Sequence, residues 1–172
     1  MSDITAVKYF SLKKLTKFIK EIENDSKAVK ELTKLVLGND KTLSMRASWA
    51  LVHLSYANPK LASKQIPGLV KFLKQKDHHT GAIRYVLNLL IEVDIPEKYC
   101  SEVFDLCMAY TKNATLPHAV RAFSITILGQ ICQKYPDLKP EVELVLSELK
   151  TFPQPPSLTV RIRNTSKILL KL

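Results

Sequence analysis

The sequence predicts an all-α fold built from stacked helix pairs, and three observations predict it. Apolar residues recur at helical spacing along almost all of the 172 residues, and no run alternates apolar and polar residues between turn signals as a half-buried strand would. Only 4 glycines occur, against an ordinary share of about 7%, which leaves little material for hairpins or phosphate loops. An arginine followed by the same apolar pattern returns four times, at intervals suited to a helix pair. A chain of this length buries one continuous core without staples, so the expectation is a single domain over residues 1–172.

The first helix is expected over residues 9–23, with Leu12, Leu15, Phe18, Ile19 and Ile22 on one stripe and Lys13, Lys14, Lys17 and Lys20 opposite. Asp25 or Ser26 caps a second helix carrying Val29, Leu32, Leu35 and Val36, with Gly38 as a left-handed stop. The third, 43–57, has two apolar stripes, one of Ala47, Ala50, Leu51 and Leu54 and one of Trp49, Val52 and Tyr56, which calls for neighbours on two sides. Asn58-Pro59 ends it. A fourth helix then reaches residue 75 and bends at Pro67, which lacks a backbone donor.

A fifth helix covers residues 79–93, and Asp94, Pro96 and Glu97 open a sixth that buries Val103, Phe104, Cys107 and Met108. The seventh starts near Thr115 and Pro117 and uses Val120, Phe123, Ile127 and Ile131. Asp137 caps an eighth with Val142, Val145, Leu146 and Leu149. The FPQPP segment at 152–156 is a stiff loop, and Ser157 caps a ninth helix whose apolar face runs from Leu158 to Leu172. The expectation is thus about nine helices, four pairs and an N-terminal one.

The repeated helices read MRASWALVHL, IRYVLNLLIEV, VRAFSITILGQI and IRNTSKILLKL. Their arginines, Arg46, Arg84, Arg121 and Arg163, stand 38, 37 and 42 residues apart. This pattern resembles the second helix of a HEAT repeat, most closely at VRAFSITILGQI, and the resemblance covers residues 26–172. It implies a right-handed α-α superhelix, a short HEAT-like solenoid. In that family an aspartate in the preceding turn often pairs with the arginine six residues later. Asp40 and Arg46 keep that spacing, Asp77 precedes Arg84 by seven, and the last two repeats have no such aspartate. The resemblance further implies that the arginines tie turns together from inside, and that the second helices line the concave face.

Candidate ligand contacts follow from charge and helix geometry. On the second helices, Tyr85, Asn88 and Glu92 in one repeat and Asn164, Lys167 and Lys171 in the last turn away from the main apolar stripe and are candidate groove residues. The net charge is +10, spread along the chain. Lys60, Lys64, Lys71 and Lys74 would share an arc of about 80° on a straight fourth helix, and residues 58–76 hold no acid. This is the expected basic patch, for an acidic or phosphate-bearing partner.

Catalytic signatures are missing from the sequence. It contains no Gly-x-Ser-x-Gly, no His-Glu-x-x-His and no Gly-rich phosphate loop. His53, His78, His79 and His118 have no partner at metal-ligand spacing, so neither a metal nor a cofactor is expected. Cys100, Cys107 and Cys132 read as buried thiols in a reducing cytoplasm. No export signal or membrane-spanning run is visible.

The expected function is a non-catalytic cytoplasmic scaffold that binds a protein or peptide. The first alternative is a nucleic-acid-binding HEAT-like protein, since helical-repeat DNA glycosylases use basic concave surfaces; those need a catalytic acid and aromatic residues in the groove, whereas Trp49 is expected on an apolar stripe. An uncharacterised enzyme is the second alternative.

Overall fold

The computed structural model describes residues 4–75 and 79–172. Asp77 and His78, named above, lie outside them. Of the described residues 81% are helical and none is in a strand. No described helix is long and apolar enough to cross a membrane. The chain packs as two compact units, Met1–Pro96 and Glu97–Leu172.

In the first unit a 3₁₀ segment, Ile4–Tyr9, precedes α1 (Leu12–Ile22), α2 (Ser26–Val36), α3 (Lys41–Ala57), α4 (Pro59–Ser63), α5 (Ile66–Lys74) and α6 (Thr80–Glu92). Side chains fix most of the starts. Ser11 accepts from the Lys14 amide, Asp25 from the Lys27 and Ala28 amides, Asp40 from the Leu43 amide and Asn58 from the Leu61 amide, each satisfying donors that a helix N-terminus leaves orphaned. The Asn58 side chain also donates to the Glu23 carbonyl at 2.8 Å, tying the end of α3 to the end of α1.

The centre of this unit is α3, which packs on α1, α2, α4, α6 and the 3₁₀ segment. It can do so because its inner faces are small or aliphatic: Ala47, Ala50, Leu51, Val52 and Leu54 are buried along with Ser44, Ser48 and Ser55. The buried hydroxyls cost little because each finds a backbone carbonyl, those of Val36, Ser44 and Val52 respectively, at 2.7–2.8 Å.

Four local expectations for this unit need correction. Leu12 opens α1 and is 57% exposed although it shares the helical face of Leu15 and Ile19, so the buried part of the stripe begins only at Leu15. Gly38 does not adopt a left-handed conformation, and α2 closes instead on a right-handed Leu37 whose amide returns to the Thr33 and Lys34 carbonyls. The expected fourth helix is two helices. Pro67 falls in the first turn of α5, where its missing donor costs nothing, and the break comes earlier, at Lys64-Gln65. The buried Gln65 side chain donates to the Leu61 carbonyl and accepts from the Thr33 hydroxyl at 3.1 Å, so the break is pinned to α2. Finally, Trp49 is half-buried and Tyr56 is 56% exposed, so only Val52 of the second stripe belongs to the core.

The second unit contains α7 (Glu97–Lys112), α8 (His118–Lys134), a 3₁₀ turn (Pro136–Leu138), α9 (Lys139–Lys150) and α10 (Pro156–Leu169). Here α8 is the central helix, packed between α7 and α10, with α9 against all three. A Cβ on Gly129 would stand 2.9 Å from the Thr165 methyl, so the bare glycine is what lets α8 and α10 approach this closely. The Thr165 hydroxyl completes the contact by donating to the Ile125 carbonyl at 3.2 Å.

Two expected caps are absent from this unit. Asp137 lies inside the 3₁₀ turn and α9 starts without a side-chain cap, while Ser157 lies inside α10, which begins at Pro156. Prolines near both helix starts supply the fixed φ that a helix entry needs.

Candidate binding surfaces

The four repeated arginines have different surroundings. In α8, Arg121 is buried and its Nε donates to the Thr111 carbonyl in the last turn of α7, at 3.1 Å. A cation there satisfies an orphan carbonyl and meets the negative end of the α7 dipole. Burial lowers the Arg121 pKa, yet the guanidinium remains charged at neutral pH. Arg46 lies half-buried over the Trp49 ring, 5.4 Å from its centroid, and Arg84 over Tyr85 at 4.5 Å. Arg163 is exposed.

The Asp40–Arg46 pair expected from the resemblance is replaced by another. Asp40 binds the Lys8 ammonium at 2.6 Å, and this bond, helped by the Leu43 amide, holds the carboxyl below the usual carboxylate range. A carboxylate committed to capping its own helix and to Lys8 has no reach left for a residue two turns on.

What α3 offers outward is an aromatic and cationic row. Arg46, Trp49, His53 and Tyr56 fall three, four and three residues apart, which puts them on one face. The Trp49 and His53 rings meet edge to face at 5.4 Å, and His53 and Tyr56 at 6.1 Å. Partial burial lowers the His53 pKa. On the neighbouring α6, Asn88 reaches toward the Tyr56 hydroxyl at 3.5 Å, Tyr85 is half-buried beneath Arg84, and Glu92 is exposed. Three of the expected groove residues thus stand beside a row of which Trp49 and Tyr56 were expected on an apolar stripe. The polar His53 between Trp49 and Tyr56 on the same face was the available signal.

Lys60, Lys64, Lys71 and Lys74 are all exposed. They do not share one straight helix, however, because the break at Lys64-Gln65 leaves Lys60 on α4, Lys64 at the break, and Lys71 and Lys74 on α5.

In the second unit Asn164, Lys167 and Lys171 are exposed on or just beyond α10. Of the three, Lys167 lines a groove of about 450 Å³ shared by α10, the end of α9 and the loop between them. A second groove of about 420 Å³ lies where α7 meets the 3₁₀ turn and α9, and carries Glu97, Asp105, Asp137 and Glu141 over Phe104 and Leu138.

Burial suppresses the chemistry of Cys107 and Cys132. All three cysteines are buried and outside any disulfide. Desolvation pushes Cys107 up to about 12 and Cys132 up to about 11, so neither is a thiolate at neutral pH. No group of three or more His, Cys, Asp or Glu residues that could hold a metal occurs among the described residues. The HEAT repeat domain model matches residues 7–169. No curated protein and no solved structure matches the chain.

Proposed function

Because the chain belongs to the HEAT repeat family, we propose that it is a non-catalytic scaffold that binds a protein or peptide on the outward side of its second helices. The observation that carries this reading is the row Arg46, Trp49, His53 and Tyr56 beside Tyr85 and Asn88. Large, stiff aromatic side chains with a polar handle give much contact area for little entropy, and they dominate protein interfaces together with arginine. Glu92 extends the same face of α6, and Asn164, Lys167 and Lys171 offer polar contacts on or just beyond α10 in the second unit. Buried thiols outside any disulfide support a cytoplasmic protein.

The test is affinity purification from the native host with the parent and with a Trp49→Ala/Tyr56→Ala variant, analysing the bound material for both protein and nucleic acid. A protein retained by the parent and lost from the folded variant is the expected result. An identical profile from both would end the reading.

The exposed lysines favour a second reading, nucleic-acid binding, because Lys60, Lys64, Lys71 and Lys74 lie in a stretch without acids, in the unit that also carries the Trp49 row. A phosphate-binding surface releases counterions and so weakens steeply with salt. The expected outcome is no complex tighter than the roughly 10⁻⁴–10⁻⁶ M of non-specific binding at physiological salt. A sub-micromolar, salt-sensitive complex that vanishes when all four lysines become Glu would replace the scaffold reading.

A further inference from the structure

Residues 149–172 contain Lys150, Arg161, Arg163, Lys167 and Lys171 and no Asp or Glu. Three of these cations, Lys150, Arg163 and Lys167, rim the 450 Å³ groove, and none of its lining residues is acidic. Its interior is apolar. Ile162 is buried, while Phe152 and Leu170 are 71% and 78% exposed.

The groove is also pre-set. Phe152 belongs to the proline-rich loop, and the Gln154 side-chain amide holds that loop by donating to the Leu149 carbonyl at 2.8 Å. The Thr159 hydroxyl shares its one hydrogen between the Gln154 and Pro155 carbonyls, each at 3.2 Å. Lys150 is held across the groove by its bond to the Ser166 hydroxyl at 3.0 Å. A wall fixed in this way orders few groups on binding, which lowers the entropic cost of association.

The geometry points to this groove as the docking site of an acidic peptide segment, which seats one large apolar side chain beside Phe152, Ile162 and Leu170 and presents carboxylates to Arg163 and Lys167. Charge complementarity selects the occupant. A second copy of the chain meeting this groove through the same face would bring the same cations against them, and a net charge of +10 on each chain opposes association through its other faces. A phosphate backbone would satisfy the cations but would leave the aliphatic surface of Ile162 and Leu170 unused. Arg163 suits a carboxylate through its planar fork of donors. The assignment rests on the scaffold reading and names one partner class for it.

The experiment titrates the full chain into a fluorescent peptide with one Leu flanked by Asp and Glu, followed by anisotropy. Two control peptides replace the Leu by Ser or the acids by Gln. Binding of the first peptide, weakened at least about tenfold in either control and in an Arg163→Glu/Lys167→Glu variant, is expected. Lys112→Glu, an exposed change on α7 away from the groove, should shift affinity less than about twofold.

Equal binding of the Ser peptide would overturn the inference, and so would an equal loss in Lys112→Glu or no measurable binding. Self-association of the parent that Phe152→Ser removes, or a single-stranded oligonucleotide that displaces the peptide, would overturn it too. If the peptide binds the charge-reversed variant normally but fails on Trp49→Ala, the groove is wrong while the scaffold reading stands. If the groove variant loses the peptide and Trp49→Ala does not, the assignment to α10 holds independently of the α3 face.

Discussion

Arg121 and Arg163 follow the same sequence pattern in α8 and α10, yet one is buried on a backbone carbonyl and the other faces solvent. Helix start points account for the difference. Arg121 comes three residues after α8 begins at His118, beside the end of α7, whereas Arg163 comes seven after α10 begins at Pro156. Four residues carry a side chain about 6 Å further along the axis, past the carbonyls that close the preceding helix. Neighbours matter as well. Packed between α7 and α10, α8 is covered on two flanks, while Arg163, Lys167 and Leu170 of the second unit line an open groove. A repeated motif therefore fixes the residue but not its role, which depends on where the helix starts and how many sides are covered.

The largest expected effect tests that contrast directly. Arg121→Ala removes a buried charged hydrogen bond and leaves the Thr111 carbonyl unpaired, and it should cost about 2–3 kcal/mol by urea unfolding. Arg163→Ala should change stability by less than about 0.5 kcal/mol. Similar losses from the two would break the comparison.

Next in size is Gly129→Val, which forces α8 off Thr165 of α10 and should cost about 2 kcal/mol, read as a lowered thermal midpoint. Arg46→Ala comes third, at about 0.5–1 kcal/mol, because a half-buried guanidinium over Trp49 loses a cation–π contact without orphaning a buried partner.

The smallest effect is a pH dependence. Burial lowers the folded-state pKa of His53, so the unfolded chain takes up the proton first. Stability is full above the unfolded value of about 6.5 and declines as pH falls through it. His53→Gln should flatten that decline between pH 7.5 and 5.5, measured as the shift in urea midpoint.

Helical class, order and most boundaries were legible because long amphipathic periods, side-chain caps and breakers are local signals, as at the Asp25 cap and the Asn58-Pro59 break. The break before α5 was misplaced because proline is most comfortable in a first turn, which moves the discontinuity ahead of it. Trp49 and Tyr56 were misassigned because an apolar ring on a helix reads the same whether a neighbour covers it or not. The α10 groove was missed although residues 149–172 visibly lack acids, since its cations lie on two helices and only folding brings Lys150 to Arg163. The acidic groove was hidden likewise, with Glu97 and Asp137 forty residues apart in the chain.

Within each unit, helices pack on those next to them in sequence or one repeat away. That locality has a kinetic consequence. Closing a short loop costs little chain entropy, so each contact can form as soon as its two helices exist. Chains dominated by such contacts fold in about microseconds to milliseconds, whereas synthesis proceeds at roughly 5–20 residues per second. The first unit can therefore reach its packed state on the ribosome before α10 has been made, and its apolar faces spend little time uncovered.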